Sequence, residues 1–334
     1  MHEHVAPAVY YLEVHLLSAS VVCVAAWVLT SLWNGAATAK YWIWVATSIN
    51  FLVPLGGFFN AFGASRVSWA TQLGGLDQVG IGISHNWIAG AALFGVWLCG
   101  AVLMFARLLV RLRQDSQDDS TPGGRGTARL RRRFLTHGIP VTVSAITQGP
   151  SVRGVLRPRI SLPVGIDRLL NDRELDAVLI HEVTHARRRD NLIGLVHEIA
   201  LCGLWFHPLV WLAGSRLIMF RELSCDDRVI ESSRGADLVT ALAKLADPGE
   251  TQLLRAGAAT LFRHRLTRLQ AAEPHRAGAA QRALIMIFGA VLLACMVETI
   301  AHTPGCFKVV CGKTLAANGR SSELVCPVPG VAMR

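Results

Sequence analysis

Five blocks of nearly unbroken apolar sequence constrain this chain more than any other feature, at about 16–33, 41–62, 87–110, 192–220 and 283–301. About 20 such residues in a helix match a hydrocarbon core roughly 30 Å thick. With 334 residues, 52% hydrophobic and only 17% charged, the chain is too apolar for an ordinary soluble protein. The expected class is a mainly α membrane protein with room for one further domain.

The formal net charge of +10 does not point to nucleic acid. Its arginines follow the third block: Arg107, Arg111 and Arg113, then Arg125, Arg129 and Arg131 to Arg133. Phe134 is the one aromatic residue among them, so the run reads as a cytoplasmic membrane flank that also attracts anionic lipids. No direct nucleic-acid binding is expected.

The flank orients the rest. Residues 1–110 form an N-terminal membrane domain of three spans, with Trp42 and Trp44 suited to an interface and the N-terminus outside. The leader MHEHVAP carries no Lys or Arg and no cleavage site follows it, so the first block reads as a retained span; His2, Glu3 and His4 read as a solvated terminus. Residues 111–126 include the polar stretch DSQDDSTPGGRG and form a linker to a cytosolic domain at 127–282. Val141, Val143 and Ala145 alternate with polar neighbours, and SVRGVLRPRISLP spans 151–163, so a small sheet is expected. A final span at 283–302 follows His275, Arg276 and Arg282 and leads outward to a tail at 303–334. Two of Cys306, Cys311 and Cys326 could pair there, in more than one combination.

Within the cytosolic domain, Asn171 followed by Glu174 has the capping-box pattern, and Leu175, Val178, Leu179 and Val183 recur at helical spacing. The motif His181-Glu-Val-Thr-His185 therefore falls on a helix, where imidazoles four residues apart share one face and can bind one Zn²⁺. Glu182 then lies beside the open position, placed to take a proton from water and hand it to a leaving amine. In RELSCD at 221–226, Glu222 can supply the third ligand, and Asp226, four residues on, can accept from a ligand imidazole's distal N–H.

This assignment conflicts with a straight crossing by 192–220, which would put His185 and Glu222 on opposite faces of the membrane. A helical hairpin broken at His207-Pro208 resolves the conflict, packed in the core or dipping into the bilayer surface. His197 and His207 read as packing residues, Arg187 to Arg189 as a basic rim, and Asp190 or Asn191 as a helix cap. Cys225 reads as a small buried residue and His264 as part of a solvated face.

The segments GVLRPRISLP (154–163), DRELDAVLIHEVTHARRRDN (172–191), FHPLVW (206–211) and RELSCD (221–226), in that order, resemble the BlaR/MecR-type membrane metallopeptidases, antirepressors of bacterial antibiotic-resistance circuits. The resemblance covers the protease half and three preceding spans. It implies a gluzincin-like α+β cytosolic protease domain in a bacterial plasma membrane, one zinc ion on His181, His185 and Glu222, catalysis by Glu182, and a protein substrate such as a repressor. The family's antirepressors carry a penicillin-binding sensor after the final span, which this sequence does not show. Two rival readings are a quality-control protease of the HtpX type, which also embeds HExxH among spans, and a catalytically silent membrane sensor or scaffold.

Overall fold

The computed structural model describes residues 5–33, 35–52, 87–117, 139–144, 149–245 and 256–271, with a helical fragment at 283 and 286–290. Of the linker expected at 111–126, residues 111–117 instead continue the helix that begins at Trp87, its apolar run extending into the arginine-rich flank, while 118–126, most of the last apolar block, the tail cysteines and residues 1–4 lie outside the described residues. The elements are α1 (Val5–Leu32), α2 (Ala37–Leu52), α3 (Trp87–Gln117), β1 (Val141–Ser144), β2 (Ser151–Arg153), β3 (Arg159–Pro163), α4 (Ile166–Leu169), α5 (Asp172–Arg188), α6 (Asp190–Gly203), α7 (Pro208–Glu231), α8 (Gly235–Leu245) and α9 (Ala256–Ala271).

Two of these helices are long and apolar enough to cross a membrane, over His15–Leu32 and Ile88–Asp115. Along α3, Ile88, Leu93, Phe94, Leu103 and Phe105 are all exposed. An apolar helix with so little of its surface packed suits lipid rather than water.

The apolar sequence 192–220 is divided between α6 and α7, which meet at a break just before Pro208, a residue with no N–H to continue a helix. These two helices pack with α1 and α2 into one core that includes Ala19, Ala26, Tyr41, Trp44, Val210 and Ala213. Small residues let the backbones approach. At Gly214 a Cβ would stand 2.4 Å from His197 Nε2, so a side chain there would force that ring to move. Trp44 departs from the interfacial expectation: it is fully buried, its indole N–H donating to Thr30 Oγ1 at 3.3 Å, whereas Trp42 is exposed.

A second core gathers Ile160, Leu162, Leu175, Leu179, Val183, Val229, Leu238 and Leu269 from the sheet and from α5, α7, α8 and α9. Strand order is β1-β3-β2, with β1 parallel and β2 antiparallel to the central β3. The run 151–163 is therefore a hairpin rather than one strand. It turns at Gly154, whose φ of 82° suits glycine and whose Cβ would clash with Arg157 O at 2.6 Å. On β3, Ile160 and Leu162 are fully buried, which leaves β2 as the edge on one side.

The helix carrying the histidines starts as its capping box requires. Asn171 Oδ1 accepts from the backbone N–H groups of Arg173 and Glu174, and the Glu174 carboxylate accepts from Asn171 N. Lys244 of α8 holds the same carboxylate at 2.8 Å. Helix α7 runs through both cores, with Leu217 and Phe220 in the first and Val229 in the second, so residues 221–226 sit where the two meet.

Candidate metal centre

Helix α5 presents His181 and His185 one turn apart, both buried, with their Nε2 atoms 3.1 Å from each other. Glu222 on α7 brings Oε2 to 3.5 Å from His181 Nε2 and 3.8 Å from His185 Nε2. Nitrogen and oxygen ligands about 2.0–2.1 Å from a tetrahedral zinc lie about 3.3 Å apart, so the three atoms are spaced as one small cation demands. The single straight crossing of 192–220 is excluded by the same distances.

Each of the other ring nitrogens faces a carboxylate. His185 Nδ1 is 2.7 Å from Asp190 Oδ2; an ionised carboxylate can only accept, so Nδ1 carries a proton and Nε2 is the nitrogen whose lone pair a cation would take. His181 Nδ1 is 3.1 Å from Asp226 Oδ1, close but not aligned as a hydrogen bond. Glu222 Oε1 accepts from Arg221, leaving Oε2 to face the histidines.

The electrostatics follow from burial and from these pairs. Burial alone would push His185 down, but the Glu222 charge and the Asp190 hydrogen bond outweigh it and hold its pKa well above the usual value. His181 is likewise raised, burial being overcome by Asp226 and Glu222. For Glu222, burial would raise the pKa, yet the two histidines and Arg221 hold it well below the ordinary carboxylate range. Two imidazole lone pairs and a carboxylate thus compete for positive charge, supplied by a proton when no metal is bound.

Cys225 offers a rival donor, since ligand atoms of His181, His185 and Cys225 lie within 4.8 Å of one another. Its Sγ, however, is 3.5 Å from His185 Nδ1, the nitrogen committed to Asp190, and Arg188 Nη2 lies 3.0 Å from that sulfur. Cys225 also does not line the cavity onto which His181, Glu182, His185 and Glu222 open. The His-His-Glu set is the one that faces open space and fits a zinc ion.

That cavity has a volume of about 290 Å³, and Pro150, Ser151 and Val152 of the β2 edge form part of its wall. Asn191 Nδ2 donates to Val152 O at 2.9 Å and to Gly154 O at 3.3 Å, fixing the edge strand against the start of α6. On the far side of the hairpin, Gly154 N donates to Asp115 Oδ2 of α3 at 3.0 Å.

The structure thus brings His181, Glu182, His185 and Glu222 to one cavity, with Asp226 directly behind. Two sequence expectations need correction. Asp190 is not a cap: Arg189, with φ 55°, turns the chain between α5 and α6, and Asp190 swings back onto His185. Arg188 is not a rim residue, because it is largely buried and pairs with Asp190 Oδ2 at 2.6 Å and with Arg221 O. Arg187 and Arg189 are exposed. Arg265 on α9, which no sequence signal marked, also lines the cavity.

The model of the BlaR1 peptidase M56 family matches residues 10–237. The chain is 29% identical to the regulatory protein BlaR1 of Bacillus licheniformis over 176 residues, which cover 50% of this chain and 28% of that protein. It is 22% identical over 143 residues to the methicillin resistance mecR1 protein of Staphylococcus aureus, covering 41% of this chain and 24% of the relative. The chain therefore aligns with only about a quarter of the length of these relatives.

Proposed function

Because the chain belongs to the BlaR1 peptidase M56 family of metallopeptidases, we propose that it is an integral-membrane zinc endopeptidase acting on a cytosolic or membrane-proximal protein, with a transcriptional repressor in a signalling circuit as its substrate. The observation that carries this reading is the convergence of His181 Nε2, His185 Nε2 and Glu222 Oε2 on one cavity bordered by an edge strand.

A zinc ion on those three atoms would polarise the scissile carbonyl and acidify a water molecule. Glu182, beside the ligands, takes a proton as the water oxygen attacks and delivers it to the amine nitrogen as the C–N bond breaks. Asp190 orients the His185 ring and Asp226 sits behind the His181 ring. An extended substrate segment lies along β2, whose position Asn191 holds.

The proposed topology is multi-pass in a bacterial plasma membrane, with the protease region cytosolic and the N-terminus and tail outside. It is supported at the end of α3, where Arg111 pairs with Glu198 of α6 and Asp115 holds Gly154, so the arginine-rich end lies on the protease side. The same match to the BlaR1 family favours this reading over an HtpX-like protease.

The test compares wild-type protein with Glu182→Gln in membranes, measuring bound zinc and the fragments released from cellular proteins. Stoichiometric zinc in both, with at least one fragment made only by the wild type, is expected. Absence of zinc, or identical fragments, would overturn the reading.

A further inference from the structure

Arg265 comes from α9, beyond the segment matched by the family, and reaches the centre from 84 residues away in sequence. Its Nε and Nη2 grip Asp226 Oδ2 and Oδ1, each at 2.8 Å. A two-point fork of this kind fixes the plane of a guanidinium. The helix behind it is itself anchored, with Leu269 buried and Arg268 2.7 Å from Asp227.

That plane aims the remaining donors at the metal centre. Nη2 is 3.4 Å from His181 Nε2, and Nη1 is 3.5 Å from Glu222 Oε2. Both distances are long for a hydrogen bond, and both acceptors are the atoms whose lone pairs a bound cation takes. Arginine cannot give up its proton to relieve the crowding. Asp226 and Glu222 already offset part of the positive charge of a guanidinium held beside a cation, and peptide hydrolysis creates further negative charge on the former carbonyl oxygen, within reach of the donors that face the cavity.

We propose that Arg265 is a catalytic residue whose outward N–H groups, on Nη1 and Nη2, donate to the scissile carbonyl oxygen as it becomes an oxyanion. The water oxygen bonds to the carbonyl carbon, its proton passes to Glu182, and the C=O π pair moves to the oxygen facing Arg265. The pair then returns, the C–N bond breaks, and the proton on Glu182 goes to the amine nitrogen. Arg265 keeps all its protons and supplies charge stabilisation alone. The inference rests on the peptidase reading above, but its role as an oxyanion binder can be tested separately.

The experiment uses the full-length protein and its Arg265→Lys and Arg265→Gln variants, with three readouts. Loss of one oxyanion donor lowers kcat by roughly 10²–10³-fold, here on a pool of fluorogenic peptides, with KM changed by less than about threefold. Zinc affinity should hold, whereas a residue that only braces Asp226 and His181 should cost about 10–100-fold in zinc binding. Inorganic phosphate, a tetrahedral oxyanion, should bind the zinc-loaded variants at least about tenfold more weakly than wild type. Weakened zinc binding with unchanged phosphate binding would overturn the proposal in favour of a bracing role. If wild-type protein cleaves no peptide, the peptidase reading falls, and the phosphate measurement alone decides whether Arg265 binds an oxyanion: unchanged binding rejects it and weakened binding supports it.

Discussion

The hydroxyl of Tyr41 donates to Asp190 Oδ1 at 2.7 Å, joining a helix of the apolar bundle to the carboxylate that orients His185. These residues are 149 positions apart. Arg188 completes the group, stacked over the Tyr41 ring at 4.6 Å and paired to the same carboxylate. The link gives the bundle a direct physical hold on one proposed zinc ligand.

Asp190→Ala should weaken zinc binding by about 10–100-fold, the usual cost of removing the carboxylate behind a ligating histidine. Tyr41→Phe should cost only a few-fold, because Arg188 still holds Asp190 Oδ1 at 3.2 Å. Chelator competition on purified protein measures both. Equal effects of the two changes would mean that the hydroxyl, not the Asp190–His185 contact, sets the geometry.

Zinc affinity should increase with pH. In the metal-free protein His181 and His185 have raised pKa values, so their protonation stabilises the fold fully below the unfolded histidine value of about 6.5. That contribution is lost as pH rises through the raised folded values. Zinc needs the same nitrogens unprotonated, so binding tightens and releases protons across that interval. Glu222, held well below the carboxylate range, stays ionised there; its own contribution is lost only as pH falls through its lowered value. Zinc titrations in weakly buffered solution read the released protons, and uptake without proton release would contradict the assignment.

Val152→Pro should slow cleavage while leaving bound zinc unchanged. Val152 lies on the edge strand beside the cavity and faces away from β3, its carbonyl on Asn191, so proline there removes an outward backbone donor without touching the histidines. Peptide turnover and metal content, measured on one preparation, separate the two effects. Unchanged turnover would remove the strand-pairing part of the mechanism.

Asn171→Ala should destabilise the protein by about 1 kcal/mol, since it removes the acceptor for two orphan N–H groups at the start of α5. Replacement by Ser or Asp should recover most of that. Thermal unfolding in detergent would show it; a midpoint unaffected by alanine would mean that the Lys244–Glu174 pair alone holds the helix end.

What the sequence determined on its own was local. The four-residue spacing of His181 and His185, the Asn171–Glu174 cap and the break before Pro208 each depend on a few neighbouring peptide units, so helical periodicity and proline chemistry suffice to read them. Only the tertiary structure decided which groups complete the site. Asp190 reaches His185 because Arg189 adopts a left-handed turn, and Tyr41 and Arg265 arrive through the packing of α2 and α9. No sequence period records such meetings, because they depend on how distant helices pack. The proposed site therefore shows its ligands in the sequence, while the residues that aim and charge them emerge only from the fold.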